Sequence, residues 1–288
     1  MNDEASRPGR RRVSPRQAGG GSARTGTGWA TALTRIAPND VEVRGYPVDE
    51  MMGRVSFAEA VYLLLRGELP SRDIGRLFGA VLVASIDHGV TPPSTIAARH
   101  VASTGASLRN SVAAGILGFG SYHGGDIESC LRFLQAGLDI HRAGSPYDEA
   151  ASRVVAAWLE RAPTPPGFGH RIHTRDPRAA RLLQMAHELD LDGEHCRMLR
   201  AVERVLNQDP ARASDPVPIN VDGAIAAICG DLGFDPEIAN GVFIIARVPG
   251  LLAHAAEERT REAPMREINA KDHHYDGPAR RRLPETRK

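Results

Sequence analysis

The sequence predicts an all-α protein built from many helices of moderate length. Apolar side chains recur at the 3.6-residue helical spacing from about residue 56 to 258. Capping and stop residues bracket the periodic stretches. Neither a regular strand–helix–strand alternation nor a 20–50-residue repeat interrupts them.

Val41, Val43 and Tyr46 alternate with Glu42 and Arg44, which permits one short strand or extended entry before Gly45 and Pro47 interrupt. Ser56 and Glu59 then form an S-x-x-E capping box ahead of Ala60, Val61, Leu63, Leu64 and Leu65. Gly67 and Pro70 stop that helix. Ser71 caps the next, whose apolar set Ile74, Leu77, Phe78, Val81 and Leu82 shares one face and which is expected to end near His88-Gly89. Pro92-Pro93-Ser94 opens a helix through Ala97, Ala98 and Val101. Asp126 heads one with Ile127, Leu131, Leu134 and Leu138 on a single face. Val154 to Leu159, Ala179 to Leu189 and Met198 to Leu206 add three more. Asp222 to Ile228 is short, and Pro236 to Glu258 is long. Pro163, Pro165, Pro166 and Gly167 form the clearest break, so a smaller helical unit is expected over about 168–250.

The chain has 288 residues, enough for one or two domains with a sizeable core. Lys plus Arg is 36 and Asp plus Glu is 35, a formal net charge of +1. That excludes a nucleic-acid binder driven by overall basicity. Cys130, Cys196 and Cys229 have no metal-ligand spacing, and so sparse a set fits thiols of a reducing, cytoplasmic compartment. The apolar run from Val242 to Ala256 carries Arg247 and His254, and reads as too short and too polar for a membrane span. Residues 1–28 hold six arginines and two acids with almost no large apolar side chain, and are expected to form a disordered basic arm. Residues 271–288 are expected to form a charged tail.

Three polar constellations sit beside glycine or proline rather than on apolar stripes. Tyr122-His123-Gly124-Gly125-Asp126 could bring backbone close to a ligand ahead of a helix start, or could be a capping turn with an incidental histidine. The segment 167–178 places His170, His173, Arg171, Arg175 and Arg178 in one loop, either an anion site or a solvated basic loop. In Pro218-Ile219-Asn220-Val221-Asp222-Gly223, Asp222 is either a helix N-cap or a carboxylate aimed into a site as a base. Together they suggest proton transfer on an acidic small molecule.

The order of these segments resembles the citrate synthase superfamily over roughly residues 29–270. The similarity runs through the stretches 44–70 and 84–116, G-S-Y-H-G-G-D (120–126), G-F-G-H-R-I-H-T-R-D-P-R (167–178), the stretch 218–234 that opens P-I-N-V-D-G, and the stretch 244–257 that opens I-I-A-R-V-P-G. The resemblance implies an all-α homodimer with a large domain (about 29–165 and 251–270), a small domain (about 168–250) and a site in the cleft between them. It implies acetyl-CoA and oxaloacetate, or citryl-CoA, as substrates, with the coenzyme A thioester as substrate rather than a resident cofactor, and no metal. Carried over, Asp222 takes the proton from the acetyl methyl. His123 donates to the developing enol oxygen, and His170 serves the oxaloacetate carbonyl. Arg178 and Arg247 clamp carboxylates, and His88 is a further substrate contact.

Departures from the family pattern bear on which member this is. The histidine usual three residues before His88 is Ser85 here. D-H-G (87–89) replaces D-H-E, and N-V-D-G (220–223) also looks like the citryl-CoA-cleaving region of ATP-citrate lyase. The loop before Arg178 lacks a usual basic residue, so Arg171 and Arg175 are the candidates for coenzyme A contacts. The arginine donated across the dimer is replaced by Ala263, with Arg266 as a stand-in. These features lean towards a stand-alone citryl-CoA lyase. Citrate or 2-methylcitrate synthase is the alternative, and a catalytically silent homologue is a third. No nucleic-acid or membrane partner is expected.

Overall fold

The computed structural model describes residues 28–120, 123–124, 126–170, 173–208 and 214–283, so the basic arm lies outside the described residues up to position 27. The chain is mostly helical, as the periodicity predicts, but the entry segment is richer than one strand. Strands β1 (Thr34–Ala37), β2 (Asp40–Val43) and β3 (Tyr46–Pro47) form an antiparallel sheet in the order β1-β2-β3. Arg44 and Gly45 both take left-handed conformations, φ 52° and 84°, giving the two-residue turn that brings Val43 opposite Tyr46. The Arg44 guanidinium donates to the Leu64 carbonyl at 2.8 Å and anchors the sheet to the following helices.

After the single turn α1 (Val48–Met51) come α2 (Phe57–Arg66) and α3 (Arg72–Ala84). The predicted capping box is present: Glu59 N donates to Ser56 Oγ at 3.3 Å, and Ser56 N to Glu59 Oε2 at 2.8 Å. Gly67 closes α2 at φ 87°. Ser71 caps α3 through Ile74 N. Helix α3 stops at Ala84, short of His88-Gly89, which leaves Ser85 to Val90 as a loop. The remaining helices are α4 (Pro93–Ser103), α5 (Leu108–Leu117), α6 (Asp126–Arg142), α7 (Tyr147–Leu159), α8 (Pro177–Glu188), α9 (Glu194–Leu206), α10 (Val221–Asp231) and α11 (Pro236–Arg261).

Helix α10 lies at the centre. Val221 and every residue from Gly223 to Gly230 are buried, so it has no polar face to show solvent. It packs on α6, α8 and α9, where Leu131, Leu134, Leu138, Met198 and Leu199 meet Ile225 and Ile228 in one core. Each such side chain contributes roughly 1.5–3 kcal/mol by leaving water. Tyr62, Phe78 and Phe234 extend that core as an aromatic cluster, with ring centroids 5.5–5.6 Å apart.

Across the Pro163–Gly167 segment, α6 and α7 share one hydrophobic cluster with α8, α9 and α10. A second packing group forms where α4 and α5 grip the C-terminal half of α11. Its centre is Gly115, where an added Cβ would meet Leu251 and Ala98 at 3.0–3.1 Å. Helix α11 is long and apolar enough to cross a membrane by length and composition alone. Here it is an interior helix that touches α3, α4, α5, α6 and α10 and buries Arg247 within its span.

Candidate active site

Two segments distant in sequence are laced together at the start of α10. Phe168 pairs with Ile219, Gly169 N donates to the Pro218 carbonyl at 2.8 Å, and Asn220 N donates to the Gly167 carbonyl at 3.1 Å. Asn220 Nδ2 adds a bond to the Gly169 carbonyl at 3.1 Å. The approach is so close that a Cβ on Gly223 would stand 2.3 Å from the Gly167 oxygen. This lacing sets His170 beside the first turn of α10. That turn is capped by Asn220, whose Oδ1 accepts from Gly223 N at 3.0 Å. Asp222 is therefore not the cap, and its carboxylate lines a cleft instead.

The cleft is compact, with a cavity volume of about 160 Å³, smaller than the usual range for drug-sized ligands. Six sequence-predicted residues line it: His88, His123, His170, Arg178, Asp222 and Arg247. Burial drives the Asp222 carboxyl up to about 6, with the nearby Asp126 adding to the rise and Arg178 and Arg247 opposing it. The three imidazoles move the other way. Burial lowers His88, helped by Arg178 and Arg247. It lowers His123, helped by Arg247 and His88. It lowers His170, helped by His173, whose ring stacks on it with centroids 4.4 Å apart. At neutral pH the cleft thus holds one ionised carboxylate near its titration point, neutral imidazoles and two guanidinium groups.

Each group is fixed by neighbours that sequence reasoning did not single out. His123 Nε2 shares a hydrogen bond of 2.8 Å with Ser94 Oγ at the start of α4. Its backbone is held in a tight turn by reciprocal bonds with Gly120 of 2.8 and 3.0 Å. Gly124, at φ 78°, lets Phe119 close against the turn, where a Cβ would stand 2.5 Å from that ring. Asp176, only 1% exposed, caps α8 and holds Arg178 by a two-pronged pair, Nε to Oδ1 at 3.0 Å and Nη2 to Oδ2 at 2.8 Å. The same Oδ2 accepts from Val221 N at 3.1 Å, which ties Arg178 to the helix that carries Asp222. Burial alone would raise Asp176, but these bonds hold it below the usual carboxylate range. Arg247 donates Nε to the Ser85 carbonyl at 2.8 Å and lies 5.0 Å over the Phe243 ring. The loop carrying Ser85 and His88 rests on α11 at Gly250, where a Cβ would meet the Ile86 oxygen at 2.4 Å. Asn220 and Ser85 also line the cleft. Asn220 had only the signal of standing two residues before Asp222, and Ser85 only that of replacing a histidine.

Three predicted residues fall elsewhere. Arg171 lies outside the described residues, as do Tyr122 and Gly125 of the first constellation. Arg175 faces shallow surface depressions beside Pro177, Arg181 and Gln184, rather than the cleft. Arg266 is not brought to the cleft of its own chain. It makes a two-pronged pair with the buried Glu258, at 2.7 and 2.9 Å, and Glu258 is further bound by Arg99 Nε at 2.7 Å. A fully buried carboxylate needs such cations, so Arg266 is committed to it.

Comparison with known proteins adds to this geometry. Residues 70–267 match the family described as citrate synthase, C-terminal domain. The solved structure of citryl-CoA lyase from Hydrogenobacter thermophilus is 42% identical, with a TM-score of 0.80, covering 89% of this chain and 98% of that one. Citrate synthase 2 of Bacillus subtilis (strain 168) is 30% identical over 204 residues, which are 70% of this chain and 52% of the relative. The structure of ATP citrate lyase from Methanothrix soehngenii in complex with citrate and coenzyme A shares the fold, with a TM-score of 0.75 at 20% identity, covering 89% of this chain and 43% of that one. The chain spans about half the length of the curated relatives it matches.

Proposed function

The chain belongs to the citrate synthase family, and from that premise we propose that it is a citryl-CoA lyase, cleaving citryl-CoA to acetyl-CoA and oxaloacetate. The observation that carries this is the single cleft shared by Asp222, His123, His170, Arg178 and Arg247. The likeness to a stand-alone citryl-CoA lyase along nearly all of that enzyme's length favours cleavage over synthesis. Citrate or 2-methylcitrate synthase is the second reading, favoured by the curated relatives, which the chain matches over about half their length.

In cleavage, His170 takes the proton of the citryl hydroxyl. The carbon–carbon bond breaks and its electron pair moves to the acetyl carbon, forming an enolate. His123 donates a hydrogen bond to the enolate oxygen, and protonated Asp222 delivers a proton to the carbon. Oxaloacetate leaves with its carboxylates released from Arg178, Arg247 and His88. For His123 to donate from Nδ1, its Nε2 must accept from Ser94 Oγ, and the 2.8 Å bond suits that tautomer. The coenzyme A thioester is a substrate, and Arg171 and Arg175 stay the candidates for its contacts on sequence grounds alone. We further propose a homodimer in the cytoplasm. Three buried free thiols support a reducing compartment. An Arg266 turned away from its own cleft suits an edge near a second copy.

The test offers purified protein synthetic citryl-CoA, reading oxaloacetate with malate dehydrogenase and free thiol separately. Oxaloacetate and acetyl-CoA without free thiol support the lyase. Citrate with free coenzyme A supports the synthase, and no turnover removes both. The base can be examined alone by exchange of the acetyl-CoA methyl protons into deuterated water, with oxaloacetate present. Abstraction needs Asp222 ionised, so exchange should rise about tenfold per pH unit below pH 6 and level above it. A rate that is flat from pH 5 to 8 would remove Asp222 as the base.

A further inference from the structure

We propose that the Ser85 hydroxyl is a further substrate-binding group, which donates a hydrogen bond to a carboxylate oxygen of the oxaloacetate portion of the substrate. The proposal rests on the functional reading above. Ser85 is the residue at which α3 stops, and it is 2% exposed. Ser85 is among the residues that line the cleft, yet its Oγ is buried and among the described residues no donor or acceptor reaches it. A buried hydroxyl without a partner costs stability, so one that persists at a cleft wall points to a ligand that completes it. Thr95 Oγ1 on α4 is also buried without a partner, but it does not line the cleft. Location as well as the unmet bond therefore singles out Ser85.

The surroundings fix what kind of ligand atom it meets. The Ser85 carbonyl accepts from Arg247 Nε, so the backbone acceptor is occupied and the hydroxyl is what this residue offers the cleft. With Nε so engaged, the terminal nitrogens of Arg247 remain for a carboxylate. Arg178, Arg247 and His88 line the same space and present donors. A hydroxyl in that company completes its bonding by donating to an anionic oxygen. A hydrogen bond to a charged group is also the kind that weighs most in binding.

The test compares Ser85→Ala and Ser85→Cys with the parent. Oxaloacetate binding is followed by calorimetry, citryl-CoA cleavage by steady-state kinetics, and unliganded stability by thermal melting. Ser85→Ala should weaken oxaloacetate binding, and raise KM for citryl-CoA, about tenfold, with a smaller change in kcat. Its unliganded Tm should equal or exceed that of the parent, because the lost hydroxyl has no partner in the protein. Ser85→Cys keeps the volume but donates poorly, and should follow Ser85→Ala. Parent-like affinity in Ser85→Ala overturns the proposal. So does parent-like affinity in Ser85→Cys beside a loss in Ser85→Ala, which would make volume the cause. A lowered unliganded Tm in Ser85→Ala would show a structural bond instead. A parent that neither binds oxaloacetate nor cleaves citryl-CoA would sink the functional reading, and this proposal with it.

Discussion

Replacing Asp222 by Asn is expected to cut turnover about a thousandfold, within the range a positioned acid or base contributes, while making the protein more stable at neutral pH. The stability follows from the environment of the carboxyl. Burial and Asp126 lift it to about 6 in the folded state, against about 3.9 in an unfolded chain. Between those values the native state holds more protons than the unfolded state, so stability falls as pH rises through the window. The penalty is absent below about pH 4 and complete above about pH 6, where a shift of two units corresponds to about 3 kcal/mol. Asn carries no such penalty, and Asn220 already supplies the cap of α10. The Tm difference between Asp222→Asn and the parent should therefore be positive at pH 7.5 and shrink towards zero near pH 4. Loss of stability together with loss of activity would mean that Asp222 holds the fold together, and its place as acid and base would fall.

The contrast between Asp222 and its neighbours shows where sequence reasoning reaches and where it stops. Helices were legible because their information is local: Ser56 with Glu59, Ser71 before Ile74, and apolar residues at helical spacing each act within one or two turns. The sheet was under-read because its pairing depends on turn conformation at Arg44-Gly45 rather than on a long alternating run. Long-range packing is out of reach for a related reason. Prolines 163, 165 and 166 end a helix, but only packing reveals that Gly167 then inserts between Cys130 and Gly223. In the cleft, charged and imidazole groups announced themselves by residue type and motif order. Ser94, Asp176 and Ser85 did not, because a hydroxyl or a capping carboxylate looks alike at a surface turn and at a cleft wall. Nor does anything in the sequence say that Glu258, eight residues before Arg266, is buried and pairs with it.

Gly223→Ala is expected to be among the most damaging single-methyl changes in the chain. In the helix interior, Ala is normally better than Gly by about 1 kcal/mol. Gly241 in α11, with nothing within 4 Å of its added Cβ, should show that ordinary gain as Gly241→Ala. At Gly223 the added methyl would stand 2.3 Å from the Gly167 carbonyl oxygen and 3.0 Å from its carbon. Those are backbone atoms, and Gly167 cannot retreat. It sits at φ 85°, and its own Cβ position is already 2.5 Å from the Cys130 sulfur and 2.7 Å from the Gly223 Cα. Relief must come from parting the two laced segments, which breaks the Asn220–Gly167 and Gly169–Pro218 bonds. We expect a loss of about 3 kcal/mol or more, read as a Tm lowered by on the order of 10 °C for a chain of this size. The same parting would carry His170 away from Asp222, and a displacement of about 1 Å is enough to lower kcat about a hundredfold. The double variant Cys130→Ala/Gly223→Ala separates the two possible causes. Making room at Cys130 should restore part of the Tm if Gly167 can then move back, and should restore none if the clash is fixed by the paired backbone. A Gly223→Ala protein with the parent's Tm and kcat would show that the segments slide past one another freely, and that the juxtaposition of Asp222 and His170 does not depend on their close approach.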